Sequence, residues 1–315
     1  MLDLLSDILT RLSLQGTVYF RTSFTEPWGV KVPAFSNVAR FHYVHRGECV
    51  ARVDGEDGET RLAQGDLVLV PHGRAHTLTC RHSGADEALP LEDLLERTGF
   101  KGYGTLVYGG AEPALETQLI CGHFAIAPGS RHILLDRLPA QLVIPGYGAE
   151  AGGWLEATLR VIGSEAGGAR LGGDLIALKM SEAIFAQALR SFIEGAKTTD
   201  QALAGFADPQ LTRALTAFHR APADSWTVAG LAREAGMSRT GFAQVFAQKM
   251  GVTPMHYVTA WRMQIARDAL GRRGLAIAEV AELTGYASES AFSRVFRNEV
   301  GVPPAAFRKG AATEA

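Results

Sequence analysis

Cysteine is scarce in this chain. Its three residues, Cys49, Cys80 and Cys121, are odd in number and show no CxxC spacing, which excludes a closed disulfide framework and a zinc knuckle. Long apolar runs are missing too: no stretch approaches the ~18 residues that a membrane span requires. The opening MLDLLSDILTRLSLQ is an amphipathic helical pattern carrying acids, unlike a secretory signal. A cytoplasmic location is the expectation. Net charge is nearly absent, at −2, but it conceals an asymmetry. Residues 1–205 hold 18 Lys and Arg against 24 Asp and Glu, a balance of −6, whereas residues 206–315 hold 13 against 9, a balance of +4. A basic C-terminal part is what a chain needs if only that part meets a polyanion.

What the chain does have is length and apolar content. Its 315 residues, 47% of them hydrophobic, exceed what one core usually holds, so two domains are expected. An internal duplication is the strongest signal. TVAGLAREAGMSRTGFAQVFAQKMGVTP (227–254) returns as AIAEVAELTGYASESAFSRVFRNEVGVPP (276–304). Leu231, Ala232 and Gly236 match Val280, Ala281 and Gly285 at an offset of 49. Ser238, Phe242, Phe246, Gly251 and Pro254 match Ser288, Phe292, Phe296, Gly301 and Pro304 at an offset of 50. One residue has been inserted in the second turn.

Each copy carries the parts of a helix-turn-helix. A first helix keeps small residues where another helix approaches, a glycine suits positive φ, and a serine suits the cap of the next helix. That next helix has an apolar stripe at i, i+3, i+4 and i+8. Between the copies, PMHYVTAWRMQIARDALGRR is an amphipathic helix whose ~17 residues span about 25 Å, a length suited to setting two reading helices into successive major grooves.

These stretches, with the GYASESAFSRVF core and the Gly-Val-x-Pro end of both copies, resemble the tandem DNA-binding domain of AraC/XylS-type transcription regulators over about residues 208–308. The resemblance implies double-stranded DNA as the partner. It puts base reading on Thr240 and Gln244 in the first copy and on Glu289, Ser290 and Arg294 in the second. Arg294 is the candidate for guanine, because a guanidinium donates to O6 and N7 together. Arg239 and Arg297 are candidates for phosphate, which fixes register without choosing sequence.

The N-terminal half alternates like short strands separated by turns at Asp54-Gly55 and Asp57-Gly58, the pattern of an all-β barrel or sandwich. Residues 65–76 fit G-x5-P-x-G-x2-H through Gly65, Pro71, Gly73 and His76, the spacing of the second cupin motif. The first motif survives in part. His42 and Glu48 are placed for it, Val44 stands at the middle ligand position, and His45 is displaced onto the opposite strand face. His42, Glu48 and His76 are thus candidate ligands for a divalent metal such as zinc, with Cys121 or His123 in CGHFAI to complete the set. Against that stands the commoner role of a lone cysteine as a small buried hydrophobe. With CGHFAIAPGSRHILLDRLPAQLVIPG added, the half resembles the cupin-type sensor domain of one branch of AraC-type regulators. That resemblance implies a small-molecule or oxidant effector, with Cys49, Cys80 and Cys121 as candidates for thiol chemistry.

Residues 146–195 read as two amphipathic helices around a glycine-rich turn, with Leu175, Leu178, Ile184, Phe185 and Leu189 on the apolar face of the second. The resemblance implies a homodimer there; an intrachain helical hairpin is the alternative. The expected fold is therefore α+β and multidomain. A cupin-like effector-sensing β-barrel occupies 1–145, a helical hairpin 146–195, a linker 196–207, and an all-α tandem helix-turn-helix domain 208–310, its first helix capped by Asp208. The expected function is sequence-specific transcription regulation, with activation through RNA polymerase as the resembled family's commoner mode. The alternative is a metal-dependent cupin enzyme with an appended helical domain, for which no clear general acid or base stands beside the ligands.

Overall fold

The computed structural model of the chain describes residues 3–12, 14–102, 104–126, 132–147, 171–195, 203–271 and 275–311, with isolated residues between 154 and 161. Two compact units emerge, one of residues 14–128 and 138–192, the other of residues 1–13, 129–137 and 193–315.

The strands of the first unit are β1 (Leu14–Thr25), β2 (Gly29–Val32), β3 (Val38–Arg46), β4 (Glu48–Val53), β5 (Thr60–Ala63) and β6 (Leu67–Val70). After them come β7 (His76–Thr79), β8 (Leu89–Pro90), β9 (Thr105–Gly109), β10 (Glu116–Ile126) and β11 (Leu142–Ile144). Six form one sheet in the order β11-β6-β3-β10-β1-β9, and five form a second in the order β5-β4-β7-β2-β8. The cupin-like barrel is thus laid out as two sheets around one core, to which Val44, Leu119 and Cys121 contribute from the first sheet and Val30, Cys49, Ala51 and Leu78 from the second. Helix α2 (Leu91–Thr98) adds Leu94 to that core.

Alternation along β10 sends Leu119 and Cys121 into the core and Phe124 to the other face. There the Phe124 ring lies 5.2 Å from Phe41 and 4.8 Å from Phe185. Phe185 belongs to the helix Gly173–Gly195, which covers the six-stranded sheet with Ile184, Phe185 and Leu189, all buried. Burial on both faces explains why β3 reads as the nearly unbroken apolar run FHYV rather than as strict alternation. Leu178 is only partly buried and Leu175 is 61% exposed, so the helix's buried apolar face is shorter than its periodicity predicts. Most of the first helix of the expected hairpin lies outside the described residues.

Gly73 ties the cupin motif to the fold. At φ +60°, a Cβ there would sit 2.2 Å from the Phe35 carbonyl oxygen and 2.7 Å from that of Val38. Only glycine fits that turn, and the turn aims His76 into the core, where it is 2% exposed.

The second unit is helical. It contains α1 (Leu4–Arg11) and α3 (Ile133–Asp136), and, with the sheet-covering helix counted as α4, α5 (Ala204–Ala207), α6 (Pro209–Arg220) and α7 (Val228–Ala235). The series continues with α8 (Arg239–Met250), α9 (Pro254–Gly271), α10 (Ile277–Leu283), α11 (Glu289–Val300) and α12 (Pro304–Ala311). Asp208 caps α6 as expected, accepting from the N–H groups of Gln210 and Leu211 at 2.8 and 3.1 Å. The expected linker is shorter than 196–207. Residues 204–207 form α5, because Leu203 and Phe206 bury against the unit, while 196–202 lie outside the described residues.

Candidate DNA-binding surface and sensing cavity

The two helix-turn-helix copies cap their second helices alike. Ser238 accepts the Gly241 N–H at 3.2 Å, and Ser288 accepts the Ala291 N–H at the same distance. Both satisfy a donor that the first helical turn would otherwise leave free. The Phe242 and Phe246 rings stand 5.5 Å apart, and Phe292 and Phe296 stand 5.6 Å apart, all four buried. Between them α9 buries Tyr257, Val258, Trp261, Met263, Ile265 and Ala266. Its 18 residues give a rod of about 27 Å.

Burying one stripe decides which side chains face outward. Arg239, Thr240 and Gln244 on α8, and Glu289, Ser290, Arg294 and Arg297 on α11, are all exposed. None of the arginines among them forms an ion pair among the described residues. Their guanidinium groups are thus uncommitted cations, and Arg239 adds its charge at the first position of α8, a combination that favours polyanions.

In the first unit, β3, β10 and β1 run side by side, and their register sets a row of inward residues. Arg40 pairs with His123, His42 with Cys121, and Leu119 with Thr22. His42 and His76 approach across the interior with their Nε2 atoms 2.8 Å apart, and Cys121 Sγ is 3.1 Å from His42 Nδ1. The hydrogens can be placed. His76 Nδ1 lies 2.9 Å from the Arg74 carbonyl, which only accepts, so that nitrogen carries a proton. His76 Nε2 is then bare and accepts from His42 Nε2–H; His42 Nδ1 is bare and accepts from the Cys121 thiol. Burial holds both rings neutral: His42 is pushed well below the ordinary imidazole value by burial and then by His76, and His76 is pushed down to about 4 by burial. Beside this relay a cavity with about 40 Å³ of free space is walled by apolar residues of β1, β2, β7, β9 and α2, together with Arg40, His42, Thr22 and His123.

Comparison with known proteins decides the identity. A cupin family model matches residues 3–194, and a helix-turn-helix domain model matches residues 231–310. An AraC-like transcription regulator of Streptomyces lividans is 33% identical over 318 residues, covering 98% of each chain. The chain belongs to the AraC-type transcription regulators. The RCS-specific HTH-type transcriptional activator RclR of Escherichia coli is similar at 27% identity, again over 98% of both chains. Among solved structures, the DNA-binding domain of the global transcriptional factor AdpA in complex with target DNA matches 34% of this chain and 96% of its own, at 27% identity and a TM-score of 0.33. The protein is a DNA-binding transcription regulator with a cupin-like N-terminal domain, and not an enzyme.

The regulator's structure brings together only part of the expected metal set. Glu48 lies outside the cluster, with its side chain 54% exposed and 3.4 Å from Arg81. The pleat explains this: its neighbour Cys49 points into the core, so Glu48 points out. Cys121 meets the edge of the His42 ring away from His76, and both facing nitrogens are occupied by one hydrogen bond. Among the described residues no three His, Cys, Asp or Glu side chains converge to hold a metal ion. The residues present do not fit a zinc site.

All three cysteines are buried free thiols. Burial raises the Cys49 pKa to about 12 and pushes Cys121 higher still. Cys80 donates to Ser83 Oγ at 3.0 Å. The sequence reading overlooked Arg40 and Thr22 on the cavity wall. The signal was faint: Arg40 stands two before His42 and so shares its strand face, but Thr22 joins them only through the β1–β10 register.

Proposed function

We propose that the regulator reads its operator through α8 and α11, and that occupancy of the cupin-like cavity sets how well it does so. Thr240, Gln244, Glu289, Ser290 and Arg294 read base edges, while Arg239 and Arg297 hold phosphates. The observation that carries this reading is the duplicated frame: two buried phenylalanine pairs of equal spacing orient two exposed polar faces, and each face carries at least one uncommitted arginine. A small-molecule effector in the cavity, rather than a metal, is supported by the incomplete ligand set and by the neutral relay beside it. Homodimerisation fits the exposed Leu175 and Ile176 at the start of α4, and a cytoplasmic site of action fits a chain in which no described helix is long and apolar enough to cross a membrane. Activation through RNA polymerase follows the family's commoner mode.

The test is selection of duplexes from a random pool by the full chain, followed by titration of the winning site at several salt concentrations. Sequence-selective binding with a steep negative salt slope is the expected result. Recovery of no shared sequence would overturn the reading.

A further inference from the structure

The cavity of the first unit holds hydrogen-bond donors that nothing accepts from. Arg40 Nε is buried without a partner, and its guanidinium forms no ion pair among the described residues. The Phe35 ring lies 4.5 Å from the guanidinium carbon, and the Glu92 carboxylate of α2 attracts the charge without forming an ion pair with it. His123, the cross-strand partner of Arg40, forms no hydrogen bond among the described residues; burial and the adjacent guanidinium lower its pKa, so the ring is neutral with one N–H to give. The Thr22 hydroxyl, 2% exposed, accepts the Leu119 N–H at 3.1 Å, leaving its own hydrogen to donate. Among the described residues the cavity wall includes no carboxylate. Everything else around these groups is the relay or apolar: Phe20, Leu78, Leu94 and Leu106 among them.

A half-buried guanidinium whose Nε is unpartnered, with two neutral donors beside it and no acceptor touching them among the described residues, is an unbalanced arrangement, since a buried donor left unsatisfied is costly. It is balanced when an anion enters. We propose that the cavity binds a small monocarboxylate, its oxygens on Arg40, His123 and Thr22 and its short apolar body against Phe20, Leu94 and Leu106. The planar guanidinium matches a carboxylate with two parallel hydrogen bonds. Size restricts the choice. A cavity of about 40 Å³ has room for about three waters, fewer than the heavy atoms of butyrate, so the acid must be short and α2 must shift outward to admit it, and an aromatic acid asks for more still. This inference rests on the reading of the first unit as the effector domain and names that effector's class.

The experiment is calorimetric titration of the full chain with butyrate, alongside butyramide, chloride and benzoate. Saturable heat with butyrate, and little with the neutral amide of the same shape or with chloride, is expected. Arg40→Gln should weaken butyrate about 10- to 100-fold, the range for loss of a charged hydrogen bond. Arg40→Lys should recover part of it, because it restores charge without the fork. No heat with butyrate, equal heat with butyramide, or undiminished affinity in Arg40→Gln would each overturn the site. The butyramide comparison is made on the unaltered protein, so it decides the matter even where a variant fails to fold. Operator affinity measured with and without butyrate separates the two claims: butyrate binding with unchanged operator affinity would keep the carboxylate site and remove its effector role.

Discussion

The Tyr257 hydroxyl stands 2.8 Å from His219 Nε2 and 3.1 Å from His132 Nε2, and so joins three segments of the helical unit that are distant in sequence. Direction follows from the ends. The Leu134 N–H donates to His132 Nδ1, so His132 Nε2 carries its proton and donates to Tyr257. Tyr257 donates in turn to His219 Nε2, and His219 Nδ1–H donates to Asp7 Oδ2 at 2.8 Å. Helix α1, through Asp7 and His219, and His132 at the start of α3 thereby meet on α9, the helix that connects the two DNA-reading copies. Replacing Tyr257 with Phe strands a donor on His132 and an acceptor on His219, both buried. The expected cost is ~1–3 kcal/mol, read as a lower urea midpoint of the helical unit; an unchanged midpoint would contradict the assigned network.

Stability should fall with acid from a higher pH than carboxylates alone would give. Burial lowers His42, His132 and His219 below the usual imidazole range and His76 to about 4. Above pH 6.5 neither the folded nor the unfolded ring is charged, and there is no effect. Below it the unfolded chain takes up protons that the folded one refuses, so stability is lost as pH falls, for His76 amounting to about 3 kcal/mol by pH 4. Asp7, held below its usual value chiefly by its hydrogen bond to His219 against the opposing effect of burial, adds a further loss only below about pH 4. Urea midpoints that stay level from pH 8 to pH 5 would be inconsistent with these buried neutral rings.

On the DNA-reading face, Arg294→Ala should relax preference at one operator position and cost ~1–3 kcal/mol there. Arg239→Ala should instead weaken all duplexes evenly and reduce the salt slope by about one. A selection experiment with each variant distinguishes them, and loss of the same base preference in both would refute the division of labour.

The duplicated turn glycines are not equivalent. A Cβ on Gly285, at φ +75°, would sit 2.3 Å from the Ala223 carbonyl oxygen, whereas one on Gly236 would meet only the guanidinium tip of Arg213. Gly236→Ala should therefore cost about the 1–2 kcal/mol of a left-handed alanine, and Gly285→Ala clearly more, because backbone must move. Thermal denaturation of the two variants in parallel tests the ranking.

Thiol chemistry should be slow in the folded protein. With Cys49 raised to about 12, almost none of it is thiolate at pH 8, and the nucleophile is the thiolate. Alkylation by iodoacetamide, followed by mass spectrometry, should modify Cys49 and Cys121 only after denaturant is added. Rapid labelling of either in the native state would contradict their burial.

Periodicity and spacing alone determined the helical half of this regulator. Local rules act there: a cap lies within three residues of what it caps, and an apolar stripe repeats every three or four, so GMSRTGF and GYASESAFSRVF already contain their own turns, and the second the exposure of Arg294. In the sheet half only the Gly65–His76 turn was legible in that way, from its spacing; the reason that Gly73 must be glycine is tertiary, since the carbonyls that crowd it belong to Phe35 and Val38. Which histidine faced which partner was decided by tertiary structure. Strand register brings residues 80 or 100 positions apart into one row, and no local pattern records it: Glu48 carries the right spacing for a ligand but points away, while Arg40, Thr22 and His123 converge because β1, β10 and β3 pair as they do.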